Sequence, residues 1–423
     1  MELDRSKAPE FRIPEDFELV SPFETTLKNG AKVFFNNTPN LEVVKIEVIG
    51  KGRKASLPLS QNLVPSFTLS LLQEGLKNRT GEKIAEFFDF HASEVNPILT
   101  FSNEGLALLT TKKHLFQVLP IFVELFTEAS FPFDAIEKRK SQKRLGQKLE
   151  KEKTSSRAGQ LFRKSLFGPF HPYGVEPEES HVNEINQDRL NFYYREMLWQ
   201  NIEIFVSANL SDFEFQLLEK SLSSLPNRIE SEQILIPEIT TNYNLIEPRE
   251  NSMQSSIRMG SFSIPKSHPD FIGLTVLNTI LGGYFGSRLI KNIREDKGHT
   301  YGIFSSLAEI GNSEYWVISA DVQKVYYKEV INEIYQEINK LVHEPISSEE
   351  LEVVRNYMIG QMLNRFSSSF DLMDRFRAVH HSGLDLSYYF NKLSYLKSFQ
   401  ATDLLKLSET YYKDKSLVEV VVG

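Results

Sequence analysis

Residues 281–306 read LGGYFGSRLIKNIREDKGHTYGIFSS. Gly282 and Gly283 close a helix that begins upstream in FIGLTVLNTILGG, because glycine ends a helix without a Cβ penalty. Ser287 is placed to cap the helix that follows. Gly298 then marks a turn, after which TYGIFSSL alternates as a strand. Phosphate cradling is not the purpose of these glycines: the spacing and the lysine of a P-loop are absent, and the run lies between two helical stretches.

Working outward from this helix, turn and strand order, the same plan occurs twice. From Phe23 to Asn37, FETTLKNGAKVFFNN alternates around Asn29-Gly30 and predicts a hairpin; LEVVKIEVIG follows as a strand. A helix is expected through SQNLVPSFTLSLLQEG, closed by Gly75, and a second one capped by Thr80. Amphipathic segments fill roughly 114–167, and a helix near 186–197 leads into the strand IEIFVSANL. In the second half SIRMGSFSI answers VKIEVIG, and FIGLTVLNTILGG answers VPSFTLSLLQEG. PISSEELEVVRNYMIGQML answers PFDAIEKRKSQKRLGQKL, its Gly-Gln step lying 214 residues further on, and LVEVVVG answers NIEIFVSANL. Four matches in one order imply duplication and an α+β fold, a mixed sheet covered by helices in each half. The boundaries expected are 18–225, a Pro- and Asn-bearing linker at 226–247, and 248–423.

Composition limits the chemistry. A chain of 423 residues with a formal charge of −8 has the bulk for two or three domains and lacks the basic balance that nucleic acid requires. The lysine-rich run EKRKSQKRLGQKLEKEK interleaves both signs and reads as a solvated helix face. With no cysteine, disulfides, thiol catalysis and thiolate metal sites are excluded. The charged N-terminal sequence has no apolar core segment of a secretory signal, and no eighteen-residue apolar run exists to span a membrane. Cytoplasm is the compartment expected, or periplasm where a leader has been removed.

Nine histidines invite a search for metal ligands. His91 to Glu94 and His181 to Glu184 each give His-x-x-Glu, but an apolar residue follows where a second histidine would complete a pair. His380 and His381 are adjacent, so a helix is expected to send them apart. No G-x-S-x-G elbow occurs.

The duplicated plan, the segment LLQEGLKNRT and the run 281–306 together resemble the pitrilysin/insulinase-type zinc peptidases, in particular the two-domain bacterial branch related to mitochondrial processing peptidase. The resemblance extends from about Phe23 to Gly423. It implies a metallopeptidase fold of the LuxS/processing-peptidase kind, the chain forming half of a clamshell. In active members the helix that here ends at Gly75 carries an inverted His-x-x-Glu-His motif, with a zinc-binding glutamate about 75 residues later. The matching window is SFTLS, so Ser66 and Ser70 stand at the ligand positions and Leu69 at that of the general base. The later glutamate falls within RLGQ, Arg144 to Gln147, which holds no carboxylate. Hydroxyls and a leucine neither hold zinc nor activate its water, so the expectation is no metal and no cofactor in this chain.

What the resemblance retains is an arginine and a tyrosine seven positions apart, Arg294 and Tyr301, which in the family act on the substrate. An O–H pre-aimed at a carbonyl oxygen stabilises the charge that grows there as water adds, and a guanidinium grips carbonyls through its fork of donors. With Arg294 at a helix end and Tyr301 at a strand start, the two can point into one cavity. The resemblance therefore implies a non-catalytic subunit of a heterodimer, binding peptide and offering this pair to the zinc of a homologous partner. A second expectation is a structural or peptide-binding scaffold, since Pro97 removes a backbone donor from the strand that pairs with substrate in active members.

Overall fold

The structure is a computed structural model that describes residues 19–229, 239–242 and 244–423. The first half opens with the expected hairpin, β1 (Phe23–Thr26) and β2 (Lys32–Asn37), followed by β3 (Val43–Lys51). Helix α1 (Val64–Leu71) stops four residues short of Gly75, which belongs instead to a small ladder of β4 (Gly75–Leu76) and β5 (Arg79–Thr80). There the Gln73 amide donates to the Val95 carbonyl at 2.9 Å, tying the exit from α1 to a neighbouring strand. Thr80 caps α2 (Gly81–Phe90) as expected, and the chain then forms β6 (Glu94–Leu99) and β7 (Asn103–Thr111). Helices α3 (Leu115–Thr127), α4 (Phe133–Glu152) and α5 (Thr154–Phe167) follow, then the short α6 (Glu179–Asn183) and α7 (Gln187–Phe192), β8 (Glu203–Ala208) and α8 (Asp212–Leu222). The lysine-rich α4 buries only Ile136 and Gln147, as a solvated helix must.

In the second half come β9 (Asn244–Glu247), β10 (Gln254–Phe262), α9 (Phe271–Asn278), β11 (Thr300–Ile310) and β12 (Ser313–Gln323). Helices α10 (Tyr327–His343), α11 (Ser348–Asn364), α12 (Ser369–His380), α13 (Ser387–Ser398) and α14 (Ala401–Tyr411) precede the last strand, β13 (Val418–Val422). Strand β9 falls inside the linker expected at 226–247; residues 230–238 and 243 of that stretch lie outside the described residues.

The duplication appears in the strand order. The first sheet runs β1-β2-β8-β3-β7-β6 and the second β11-β12-β10-β13-β9. Set β1 aside and read the second sheet backwards, and both have the order first, fifth, second, fourth, third of their own strands. The pairing agrees as well: β2 with β8 and β9 with β13 are the parallel pairs, and the other neighbours are antiparallel. No helix among the described residues is long and apolar enough to cross a membrane.

Each half also supplies a helix to the other. One face of each sheet is covered by its own helices. Across the opposite face of the second sheet lies α5 of the first half, packing Leu161, Phe162 and Phe167 on Val418, Val420 and Val317. In return α12 places Met373 and Phe376 on Phe34, Ile49 and Phe205 of the first sheet. Ion pairs edge this second contact: Arg377 meets Glu47 at 2.5 Å and Lys45 meets Asp374 at 2.9 Å. A fully buried Phe or Leu stabilises by about 1.5–3 kcal/mol, whereas a partly buried ion pair spends much of its attraction on desolvation, so the apolar faces hold the halves together.

Candidate functional site

The window expected to be degenerate lies on α1, whose inner side is apolar and buried. Ser66 donates its hydroxyl to the Leu63 carbonyl at 2.8 Å and Ser70 to the Phe67 carbonyl at 3.1 Å, so both hydroxyls serve their own helix. Leu69 is 2% exposed and belongs to the core. Across from α1, on α4, Gln147 donates to the carbonyls of Pro177 and Glu178 at 3.0 and 3.3 Å. Two serines, a leucine and an amide do not fit the zinc found in active relatives of this fold, which requires imidazole or carboxylate donors and a base for its water. Among the described residues no three His, Cys, Asp or Glu side chains are grouped so as to hold a metal ion.

Arg294 and Tyr301 lie on one well-anchored segment. After α9, a π-helical turn (Thr279–Gly283) brings the chain so close to β11 that a Cβ on Gly282 would come within 2.7 Å of Ser305. A second π-helical stretch, Ile290–Asp296, carries Arg294. Its back is fixed to α10: the Asn292 amide donates to Glu333 at 2.9 Å and to Glu337 at 2.8 Å, and Lys297 pairs with Glu333 at 2.6 Å. Gly298 turns the chain with φ +66°, the left-handed region that glycine enters freely. Thr300 then donates to the Asp321 carbonyl at 2.6 Å and accepts the Gly302 N–H at 3.0 Å. The ladder between β11 and β12 skips Tyr301, and this bulge re-aims the phenol away from the sheet.

Tyr301 is 90% exposed, and the Arg294 guanidinium lies 5.0 Å from the centre of the Phe285 ring. Phe285 and Phe304 are exposed as well, at 64% and 57%. Tyr301 thus stands open to solvent, and Arg294 packs on an exposed ring, neither of them in a cavity enclosed by this chain. No hydrogen bond between Arg294 and Tyr301 occurs among the described residues. Sequence reasoning missed Phe285 and Phe304; their signal was an apolar ring next to glycine and one on the solvent side of an alternating strand.

The histidines have structural partners. His91 Nδ1 lies 2.8 Å from the Phe87 carbonyl, and His181 accepts the Glu178 N–H at 3.1 Å to close the start of α6. His380 and His381 do not diverge, contrary to the expectation from helical spacing. His381, the C-cap of α12, keeps helical dihedrals, yet both Nε2 atoms reach the Glu203 carboxylate, one on each oxygen, at 2.8 and 3.2 Å. Burial alone would raise the Glu203 carboxyl, but these hydrogen bonds hold it below its ordinary value. This clamp forms one wall of a cleft of about 940 Å³ between the halves. Close by, Glu104 is fully buried and accepts the Tyr193 hydroxyl at 2.6 Å.

Comparison with known proteins agrees with this geometry. Residues 184–358 match the family described as Peptidase M16 inactive domain. The zinc protease YmxG of Bacillus subtilis is 24% identical over 353 residues, which cover 83% of this chain and 86% of that one. Among solved structures, a peptidase M16 inactive domain from Pseudomonas fluorescens superposes with a TM-score of 0.81 at 18% identity, covering 96% of this chain and 98% of that one. A protease from Helicobacter pylori does so with a TM-score of 0.80, also at 18% identity, over 96% and 100% of the two chains. A matched inactive domain over residues 184–358, a relative aligned over most of its length and a fold shared from end to end lead to one conclusion: the chain is similar to the M16 peptidases and has their fold.

Proposed function

We propose that this chain is the non-catalytic subunit of a two-chain zinc peptidase, binding peptide and presenting Arg294 and Tyr301 to the metal centre of a homologous partner. The exposure of Tyr301 carries this reading: a tyrosine used for packing buries its ring, whereas this one is 90% exposed, seven residues after an arginine on a segment anchored to α10. In the assembly a zinc held by the partner's own ligands would supply Lewis-acid chemistry at the scissile carbonyl. The Tyr301 hydroxyl donates to the oxygen that gains charge, and Arg294 grips a neighbouring peptide carbonyl. Enclosure by the partner removes water and strengthens both interactions. Division into two homologous domains, 18–225 and 248–423, is part of this proposal, with the second carrying the pair.

The test mixes the purified chain with a zinc-bearing M16 relative from the same genome and follows cleavage of a peptide. Tyr301→Phe should lower kcat by about 10²–10³, the usual loss for one oxyanion donor. An unchanged rate in Tyr301→Phe and Arg294→Ala ends the proposal. A scaffold subunit is the second reading, favoured by one observation: Pro97 sits in β6, the edge strand of the first sheet, where it withholds an N–H from any added strand. Purifying the native complex discriminates the two, because a partner lacking the inverted zinc motif supports the scaffold.

A further inference from the structure

Between α9, α11, α12 and α13, with Thr279 and Gly283 of the π-helical turn on its border, lies a cavity of about 150 Å³. That is room for roughly five waters, or one small polyatomic ion, at ~30 Å³ each. Arg365, Arg375 and Lys392 line it, and neither Asp nor Glu does. Most neutral polar groups around it already have partners for their protons. Thr275 donates to the Phe271 carbonyl and Thr279 to the Thr275 carbonyl, both at 2.8 Å. Gln361 donates to the Tyr357 hydroxyl at 2.7 Å, and the Tyr389 hydroxyl to the Arg375 carbonyl at 2.9 Å.

The charged donors facing the cavity are the three cations, with the Tyr357 hydroxyl as a neutral donor beside them. None of the three forms a salt bridge among the described residues, and Nε of Arg375 is shielded from water without a hydrogen-bond partner. Asp371, the acidic group that senses Arg375, accepts hydrogen bonds from Ser368 and Ser367 and caps α12. Burial depresses the Lys392 ammonium, and Arg365, Lys266 and Arg375 depress it further. Three like charges converging on one partly buried space repel one another, and an unpaired buried donor costs about 1–3 kcal/mol. An anion with several oxygens removes both penalties, and guanidinium forks suit such an ion best.

We propose that this pocket binds a small multivalent oxyanion of the phosphate class, held by Lys392, Arg375 and Arg365. The site is independent of the proposed action in trans, since it needs neither partner nor peptide. Calorimetric titration of the full-length chain with inorganic phosphate, against chloride at equal ionic strength, should show a saturable site, and phosphate should raise Tm where chloride does not. Lys392→Met should weaken phosphate binding at least about tenfold, a loss of one charged contact. Without phosphate the same variant should melt higher than the natural chain, because it relieves repulsion. Should Lys392→Met fail to fold, Arg365→Gln at the exposed rim provides the same comparison. Phosphate binding no better than chloride, or full affinity retained in both variants, overturns the proposal. Succinate binding more tightly than phosphate overturns the assigned class.

Discussion

On β7 in the first half, burial pushes the Glu104 carboxyl up to about 8, against the lowering influence of the Tyr193 hydroxyl and of Arg53. In the second half the shift has the opposite sign: burial, with Arg365, Lys266 and Arg375, brings the Lys392 ammonium down to about 8. The helices that correspond by duplication differ in the same way. The window between α1 and α4 is filled by Leu69 and closed by the Gln147 amide, whereas α9 and α11 leave an open pocket bordered by three cations. Gln361, the duplicate of Gln147 by the repeated Gly-Gln step, lies on that pocket. One strand order has thus been retained while the space under corresponding helices was packed in one half and left open and charged in the other. Backbone topology survives such divergence because the sheets are defined by ladders and apolar faces, not by the polar residues at helix ends.

The contrast can be broken most directly by putting a carboxylate into each space. Leu69→Glu buries a charge with no partner and should cost about 3–5 kcal/mol in chemical denaturation, while Thr279→Glu, facing the cations, should stay within about 1 kcal/mol of the natural chain. Equal losses in the two variants would abolish the distinction. Next in size is the clamp between halves. Arg377→Met leaves Glu47, 5% exposed, with only Lys45 at 3.4 Å, and should cost about 1.5–3 kcal/mol by the same measurement.

Smaller, and opposite in sign, are two pH slopes of at most about 1.4 kcal/mol per unit each. Glu104 titrates higher in the folded than in the unfolded chain, where 4.5 is its ordinary value, so the folded state binds the extra proton. Its contribution is complete below 4.5 and lost as pH rises to about 8, and Glu104→Gln should flatten that interval. Lys392 titrates lower than its ordinary 10.5, so the unfolded state binds the extra proton and stability rises with pH from about 8 to 10.5. Lys392→Met should flatten this second interval alone; both are read from denaturation midpoints across pH. Phe304→Ser has the smallest expected effect, within about 0.5 kcal/mol on stability because the ring is exposed, yet it should slow cleavage in the mixed assembly.

Much of this architecture was legible before any coordinates. Four segments recurring in one order announced the duplication, and the strand orders bear it out. Asn29-Gly30 located the first hairpin and Thr80 the start of α2, because turn and cap chemistry is local. Less readable was β9, only four residues long beside a proline, whose strand character comes from β13 alongside and not from its own sequence. The meeting of His380 and His381 at Glu203 was hidden because the carboxylate comes from β8 in the other half of the chain, and only tertiary packing sets it between the two rings. The three-cation pocket was equally invisible: Arg365, Arg375 and Lys392 belong to three separate segments, and only tertiary packing brings them together. Arg294 and Tyr301 came from family resemblance, and their assignment awaits the mixing experiment.

The exchange of α5 and α12 between the halves has a bearing on how the molecule can be made and dismantled. Cutting the chain within 230–238 would not release two autonomous folding units. Each fragment would keep a helix shaped for the other's sheet and would uncover a sheet of its own, Phe34 and Phe205 in one, Val418 and Val420 in the other. Such fragments should precipitate when expressed singly and reconstitute when produced together, so each half acts as the other's folding partner.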